Sequence, residues 1–171
     1  MKTASLVKDI PIWIYIFFGA IGVGATVYQM MVIVPEFNRD IPNGMIAFAQ
    51  SRVEPRDFWT SPLWNIGYLM AIIALIVNWK TKRRKWLLLS VGFMLAATIF
   101  TIVYFIPRLG IMGILDDKPS EDLNLLTQTI KQWTANDVFR FWIFIVPAFF
   151  FGLKAAVVPL KESLPEINNP S

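Results

Sequence analysis

The sequence predicts an all-α fold: a polytopic membrane protein whose four transmembrane helices form a bundle, with helices 3 and 4 extended outside the membrane. Two observations predict it. Of 171 residues, 56% are hydrophobic, 15% aromatic and only 16% charged, with a mean hydropathy of +0.53; a soluble domain has about 25% charged and roughly 45–50% apolar residues. The apolar residues also gather into four blocks of about 20 residues, the length a helix needs to cross a bilayer core. Spans are expected at residues 10–35, 62–79, 86–107 and 139–158, joined by outer segments 36–61 and 108–138, all in one domain.

The first block, from Ile10 to Val34, is closed by Pro35-Glu36. It exceeds the roughly 7–15-residue core of a signal peptide and carries no A-x-A-like cleavage site, so it reads as a retained span. Trp13, Trp59, Trp64, Trp79, Trp86 and Trp142 stand near block ends, where amphipathic rings prefer to sit. Within the first outer segment, Met45, Ile46, Phe48 and Ala49 suit a short helix between Asn43 and Arg52. Helix 3 is expected to run past Pro107-Arg108 toward Leu115. In the second outer segment, Pro119-Ser120-Glu121-Asp122 reads as a helix start, with a capping serine and acidic residues in the first turn. Leu123, Leu126, Ile130 and Trp133 then form a stripe at helical spacing, and no proline or glycine interrupts the run before Pro147. Helix 4 should therefore begin well outside the membrane, with a bend at Pro147. The tail from Ser163 reads as a frayed end.

The charge pattern sets the expected orientation. With both termini cytoplasmic, the inner side holds nine basic residues against three acidic ones, and the outer side seven against nine. The tight Lys80–Lys85 turn is decisive, because short loops carry the positive-inside rule most reliably. The net charge of +4 is therefore a topology signal in a plasma (inner) membrane protein, and nucleic acid is not an expected partner. The absence of cysteine excludes disulfides, thiol redox chemistry and thiolate metal sites. The absence of histidine excludes ordinary haem ligation, histidine metal sites and a Ser-His-Asp triad. No carboxylate lies in the middle of a span, which argues against an ion-coupled transporter.

A polar collar is expected at the outer ends of the helices, from Glu36, Asp57, Arg108, Asn136, Asp137 and Arg140. Trp133, Asn136 and Arg140 are spaced three and four apart and share a face. An inward-facing arginine there needs a partner, with Glu36 and Asp57 as candidates. The collar serves either as ion pairs and lipid contacts closing the bundle's mouth or as the lining of a ligand cavity. Within the spans, interhelical hydrogen bonding accounts for most polar groups, and Gln29, Tyr68 and Tyr104 stand out as pocket residues. Ala20 and Gly24, four apart in the glycine-rich run of the first span, read as close helix packing.

Two segments carry a resemblance. Gly24-Ala25-Thr26-Val27-Tyr28-Gln29-Met30-Met31-Val32-Ile33-Val34-Pro35-Glu36 resembles the first-helix signature of the anthrone oxygenase-like family of small four-span membrane proteins. Trp133-Thr134-Ala135-Asn136-Asp137-Val138-Phe139-Arg140 is similar to the opening of that family's last span, and Phe58-Trp59 is compatible with it. The chain departs from the pattern after span three, where Pro107 is followed by Arg108-Leu109 instead of a nearby asparagine. The resemblance implies insertion of dioxygen into a flat, electron-rich anthrone with no metal, flavin or other cofactor. It implies Arg140 or Arg108 at the enolate oxygen, Asn136 as a hydrogen-bond donor, Glu36 as the base, and Trp59, Trp133 and Tyr104 stacked on the rings. Against it stands a non-enzymatic reading, an accessory subunit or a lipid- or quinone-binding component of a membrane complex. Expected partners are the lipid bilayer, a hydrophobic small molecule, and other membrane proteins or a second copy of the chain.

Overall fold

The computed structural model describes residues 2–49, 58–59, 61–115 and 118–160, and among them every regular element is a helix. Helix α1 (Lys2–Tyr28) starts well before the expected span and runs through Pro11. It does not stop at Pro35: a π-helical turn (Gln29–Ile33) carries it into α2 (Val34–Asn38). A short helix, α3 (Asn43–Ala49), follows, and then α4 (Leu63–Val77). The third rod is α5 (Arg84–Phe100), a π turn (Thr101–Phe105) and α6 (Ile106–Ile111). The fourth is α7 (Leu123–Arg140), a π turn (Phe141–Ile145) and α8 (Val146–Val157).

The three π turns share a cause. Each begins six residues ahead of a proline, Pro35, Pro107 or Pro147. Proline has no N–H to donate, and its ring clashes with the carbonyl four residues back. Widening the preceding turn relieves the clash. The residue just before each proline (Val34, Ile106 and Val146) accordingly donates five residues back, to the carbonyls of Gln29, Thr101 and Phe141. Such turns are frequent at functional sites.

Three of the helices are long and apolar enough to cross a membrane: Leu6–Glu36, Arg84–Ile111 and Leu123–Val157. The second block yields the shorter apolar helix Trp64–Val77, about 20 Å long at 1.5 Å per residue. Outward-facing Phe17, Ile72, Ile76, Ile99, Val103 and Phe150 are exposed. A helix surface this apolar, which costs roughly 25 cal/mol per Å² in water, fits a lipid bilayer.

Two apolar cores hold the rods together. At the end carrying the Lys80–Lys85 turn (the basic end), Ile12, Ile16, Ala74, Leu87 and Ala155 pack tightly. Arg83 ties that end: it pairs with Asp9 and donates to the carbonyls of Val158 (2.7 Å) and Ala156 (3.3 Å), so it caps α8. Asn78 donates to the Lys8 carbonyl at 3.0 Å. At the opposite end (the collar end), α3 does not lie loosely on the surface. Met45 is fully buried among Val34, Phe105, Met112, Leu126, Ile130 and Trp133. The cap of α7 is Asp122, not Ser120: its Oδ1 accepts from the backbone N–H groups of Asn124 (2.9 Å) and Leu125 (3.1 Å). Gly113 must be glycine, since its φ is +76° and a Cβ would stand 2.4 Å from the Pro119 nitrogen.

Candidate functional site

Between the two cores the rods diverge around a cavity of about 590 Å³. Most of its wall is apolar, from residues such as Ile16, Val23, Ala97, Phe105, Leu109 and Phe149. Its floor toward the basic end is a hydrogen-bonded seam: the Tyr15 hydroxyl donates to Ser90 Oγ at 2.8 Å, and Ser90 donates to the Ala148 carbonyl at 2.5 Å. Gly152 lets Tyr15 and Ser90 come this close, with Tyr15 Cε1 only 3.1 Å from where a Cβ would stand.

Among the described residues one charged group reaches the cavity wall, and the π turns place it. Gln29 opens the first π turn, Thr101 opens the second, and Arg140 immediately precedes the third. Gln29 and Arg140 converge on Asp137, and Thr101 holds Arg140. Arg140 Nη2 lies 2.5 Å from Asp137 Oδ1, and Arg140 Nη1 donates to Thr101 Oγ1 at 2.9 Å. Gln29 Nε2 donates to Asp137 Oδ2 at 3.3 Å. The Thr101 hydroxyl itself donates a hydrogen bond to the Ala97 carbonyl at 2.8 Å. The guanidinium also lies 4.4 Å over the Phe105 ring, which itself meets Trp133 edge-on at 5.7 Å. Arg140 Nε is buried and has no acceptor among the described residues. The Asp137 side chain is 1% exposed and that of Arg140 13%.

The residues singled out from the sequence fall into three groups. Arg140, Gln29, Trp133, Tyr68 and Trp59 all line the cavity. Tyr68 donates to Thr98 at 3.2 Å, and Trp59 stacks on Trp64 at 5.5 Å. Asn136, Tyr104 and Arg108 form a separate cluster: Asn136 donates to the Tyr104 hydroxyl at 2.7 Å, and Arg108 stacks 3.6 Å over the Tyr104 ring while donating to its carbonyl. None of these three lines the cavity. Glu36 stands alone, exposed, with its carboxylate 3.1 Å from Arg39 on the same helix. The partner of Arg140 is therefore not Glu36, and the other candidate, Asp57, lies outside the described residues. Sequence reading named Asp137 only as part of the collar, and Thr101 only among the polar groups of the third span that hydrogen-bond between helices, as it does with Arg140. The i,i+3 spacing of Asp137 and Arg140 was the signal for the first. The glycine-rich run packs through Gly19, against Phe149, and Gly22, against Trp64; nothing lies within 4 Å of a Cβ at Gly24, which corrects the Ala20–Gly24 expectation.

Among the described residues no group of three acidic side chains could hold a metal ion. Fold and site together define a helical, bilayer-compatible protein with an apolar cavity and one buried ion pair at its wall. Comparison with protein-family models, curated proteins and solved structures gives no match.

Proposed function

We propose that the chain is a four-span plasma-membrane protein with cytoplasmic termini, and that its cavity binds a flat, apolar aromatic molecule whose oxygen faces Arg140. The observation that carries this reading is the Arg140 side chain, still 13% exposed after its pairing, at the wall of a mostly apolar cavity of about 590 Å³. Ligand sites have this character: volumes of roughly 300–1,000 Å³, apolar walls and a few placed polar groups. Orientation rests on the Lys80–Lys85 turn, and the fourth span on the apolar helix Trp64–Val77.

The resemblance to anthrone oxygenase-like proteins supplies the chemistry. An anthrone loses a ring CH₂ proton to hydroxide or another base in the surrounding water to give an enolate. The enolate reduces dioxygen, takes a proton back from water and so forms a hydroperoxide, which loses water to leave the quinone. The electrons come from the substrate, so the protein's task is to bind the rings, favour the enolate and exclude side reactions. A guanidinium beside the developing oxyanion does this best where water is excluded. Arg140 takes that role, with Trp59, Trp133 and Tyr68 as ring contacts. Asn136, Tyr104 and Arg108, packed together away from the cavity, and Glu36, exposed and paired with Arg39, have no part in it.

The test is quenching of tryptophan fluorescence by an anthrone and by its quinone, run beside oxygen uptake on protein in mild detergent. Saturable quenching is expected, weakened at least tenfold in Arg140→Met/Asp137→Leu, which removes the pair without stranding a charge. Glu36→Gln should bind as the parent does. Uptake of oxygen with the anthrone supports the oxygenase. Binding of the quinone without turnover supports the quinone-binding component, and no binding of either refutes both.

A further inference from the structure

The cavity's mouth is marked by residues that line it and are also exposed. These are Asn65 and Tyr68 on α4, Ile102 in the second π turn, Ile106 on α6, Leu115 just beyond α6, and Trp59 just before α4. They belong to the second and third rods and the segments beside them. That is also where the packing between neighbouring rods is thinnest: α4 packs mainly on α1 and meets the third rod chiefly along α5, below the π turn. The Tyr68–Thr98 hydrogen bond is the cross-link between them at the lower edge of this crevice.

Among the described residues the space toward either end is packed. Toward the collar end, fully buried Met45, Met112, Leu126 and Ile130 fill the space beneath α3. Toward the basic end, the Tyr15–Ser90–Ala148 seam and the Ile12–Leu87–Ala155 core close the floor. The open crevice is flanked by outward-facing Leu69, Ile72, Ile99 and Val103, surface that suits acyl chains rather than water.

We infer that the cavity is filled sideways from the bilayer, through the crevice between α4 and the Thr101–Ile111 stretch, by a neutral lipophile dissolved in the membrane. Neutrality of the entering molecule follows from the route, since a charged group would have to leave water and pass between acyl chains and the apolar side chains that flank the crevice. A carbonyl or ether oxygen can still accept from the part of the Arg140 side chain left exposed, since each terminal nitrogen carries a second hydrogen. The inference rests on the proposed membrane span and cavity but does not require that an anthrone be the occupant.

The chain's lack of cysteine allows a direct test. Ala97 lines the cavity, so Ala97→Cys places one thiol inside it. The variant is reconstituted into phosphatidylcholine vesicles and exposed to N-pyrenylmaleimide dissolved in the lipid, or to a sulfonated maleimide present on both aqueous sides. Fast labelling by the lipid-borne reagent and at least tenfold slower labelling by the charged one is the expected result. Adding Ile102→Trp at the rim should slow the lipid-borne reaction about tenfold. Adding Leu95→Trp, on an exposed part of the same rod away from the cavity, should leave it unchanged. Equal labelling by the charged reagent, or a rate indifferent to Ile102→Trp, would overturn lateral access. Because the readout is a thiol and not ligand binding, failure of the anthrone reading leaves this result standing.

Discussion

Two buried arginines, Arg83 at the basic end and Arg140 at the collar end, have nearly the same burial and opposite uses. Both pair with a carboxylate. Arg83 spends every nitrogen: Nη1 on Asp9, Nε on Val158 O and Nη2 on Ala156 O, tying three rods around a solid core. Arg140 pairs within its own helix, reaches one hydroxyl on a neighbour, and lines a cavity with its side chain 13% exposed. A buried cation whose nitrogens are all engaged by the fold has little left for a ligand. One that stays partly exposed at a void has more, and on that difference rests the proposal that Arg140 binds while Arg83 clamps.

Breaking single charges should give the largest effects. Arg140→Met strands Asp137, which is 1% exposed and has only Gln29 left; loss of one partner of a buried pair costs about 3–5 kcal/mol. A steep fall in thermal unfolding temperature in detergent is expected. Arg83→Met should cost less on that score, because the Asp9 side chain is 29% exposed and can reach water. The order of the two melting temperatures is the check, and a milder effect for Arg140→Met would mean that water already fills the cavity beside Asp137.

Removing both charges of each pair sharpens the contrast. Arg140→Met/Asp137→Leu leaves no buried charge behind, so stability should return to within about 1 kcal/mol of the parent, since apolar replacement of such pairs is often neutral. Arg83→Met/Asp9→Leu cannot recover in the same way. It leaves the carbonyls of Ala156 and Val158 without their donor at the end of α8, at about 1–3 kcal/mol for groups so deprived. Equal recovery in both doubles, read by the same melting curves, would show that the two arginines are not distinguished by their backbone contacts.

The same contrast explains what the sequence discloses. Hydropathy alone located the three long helices, because a run of apolar residues without charge has few other uses. The unbroken stretch from Leu123 also foretold a fourth rod starting outside the apolar block, and Met45 with Ala49 foretold α3. Trp133 and Arg140 were legible as an inward face through their helical spacing. The partner of Arg140 was misread, because the expectation looked across the bundle when the carboxylate stood one turn back on the same helix. The cavity was not legible, since no spacing rule encodes where rods part. The π turns left a trace that hydropathy does not register: at each, the residue six before a proline opens the turn, and two of those three are the polar Gln29 and Thr101.

The smallest effects come from two glycines that sample the solid and the hollow parts of the molecule. Gly152 lies on the seam, where an added Cβ would meet Tyr15 Cε1 at 3.1 Å and Ser90 Oγ at 3.3 Å. Neither neighbour can yield freely, because each is held by the Tyr15–Ser90–Ala148 hydrogen bonds. Gly152→Ala should therefore destabilise by about 1 kcal/mol or somewhat more, as overpacking does. Gly24 is helical and exposed, and an added Cβ there meets nothing within 4 Å. Gly24→Ala then has only the backbone effect, a gain of about 0.5–1 kcal/mol from reduced freedom of the unfolded chain. Opposite shifts in melting temperature from the same one-methyl change are expected. A fall at Gly24 would mean that a second chain covers this stretch of α1, which is where a partner helix would have to be sought.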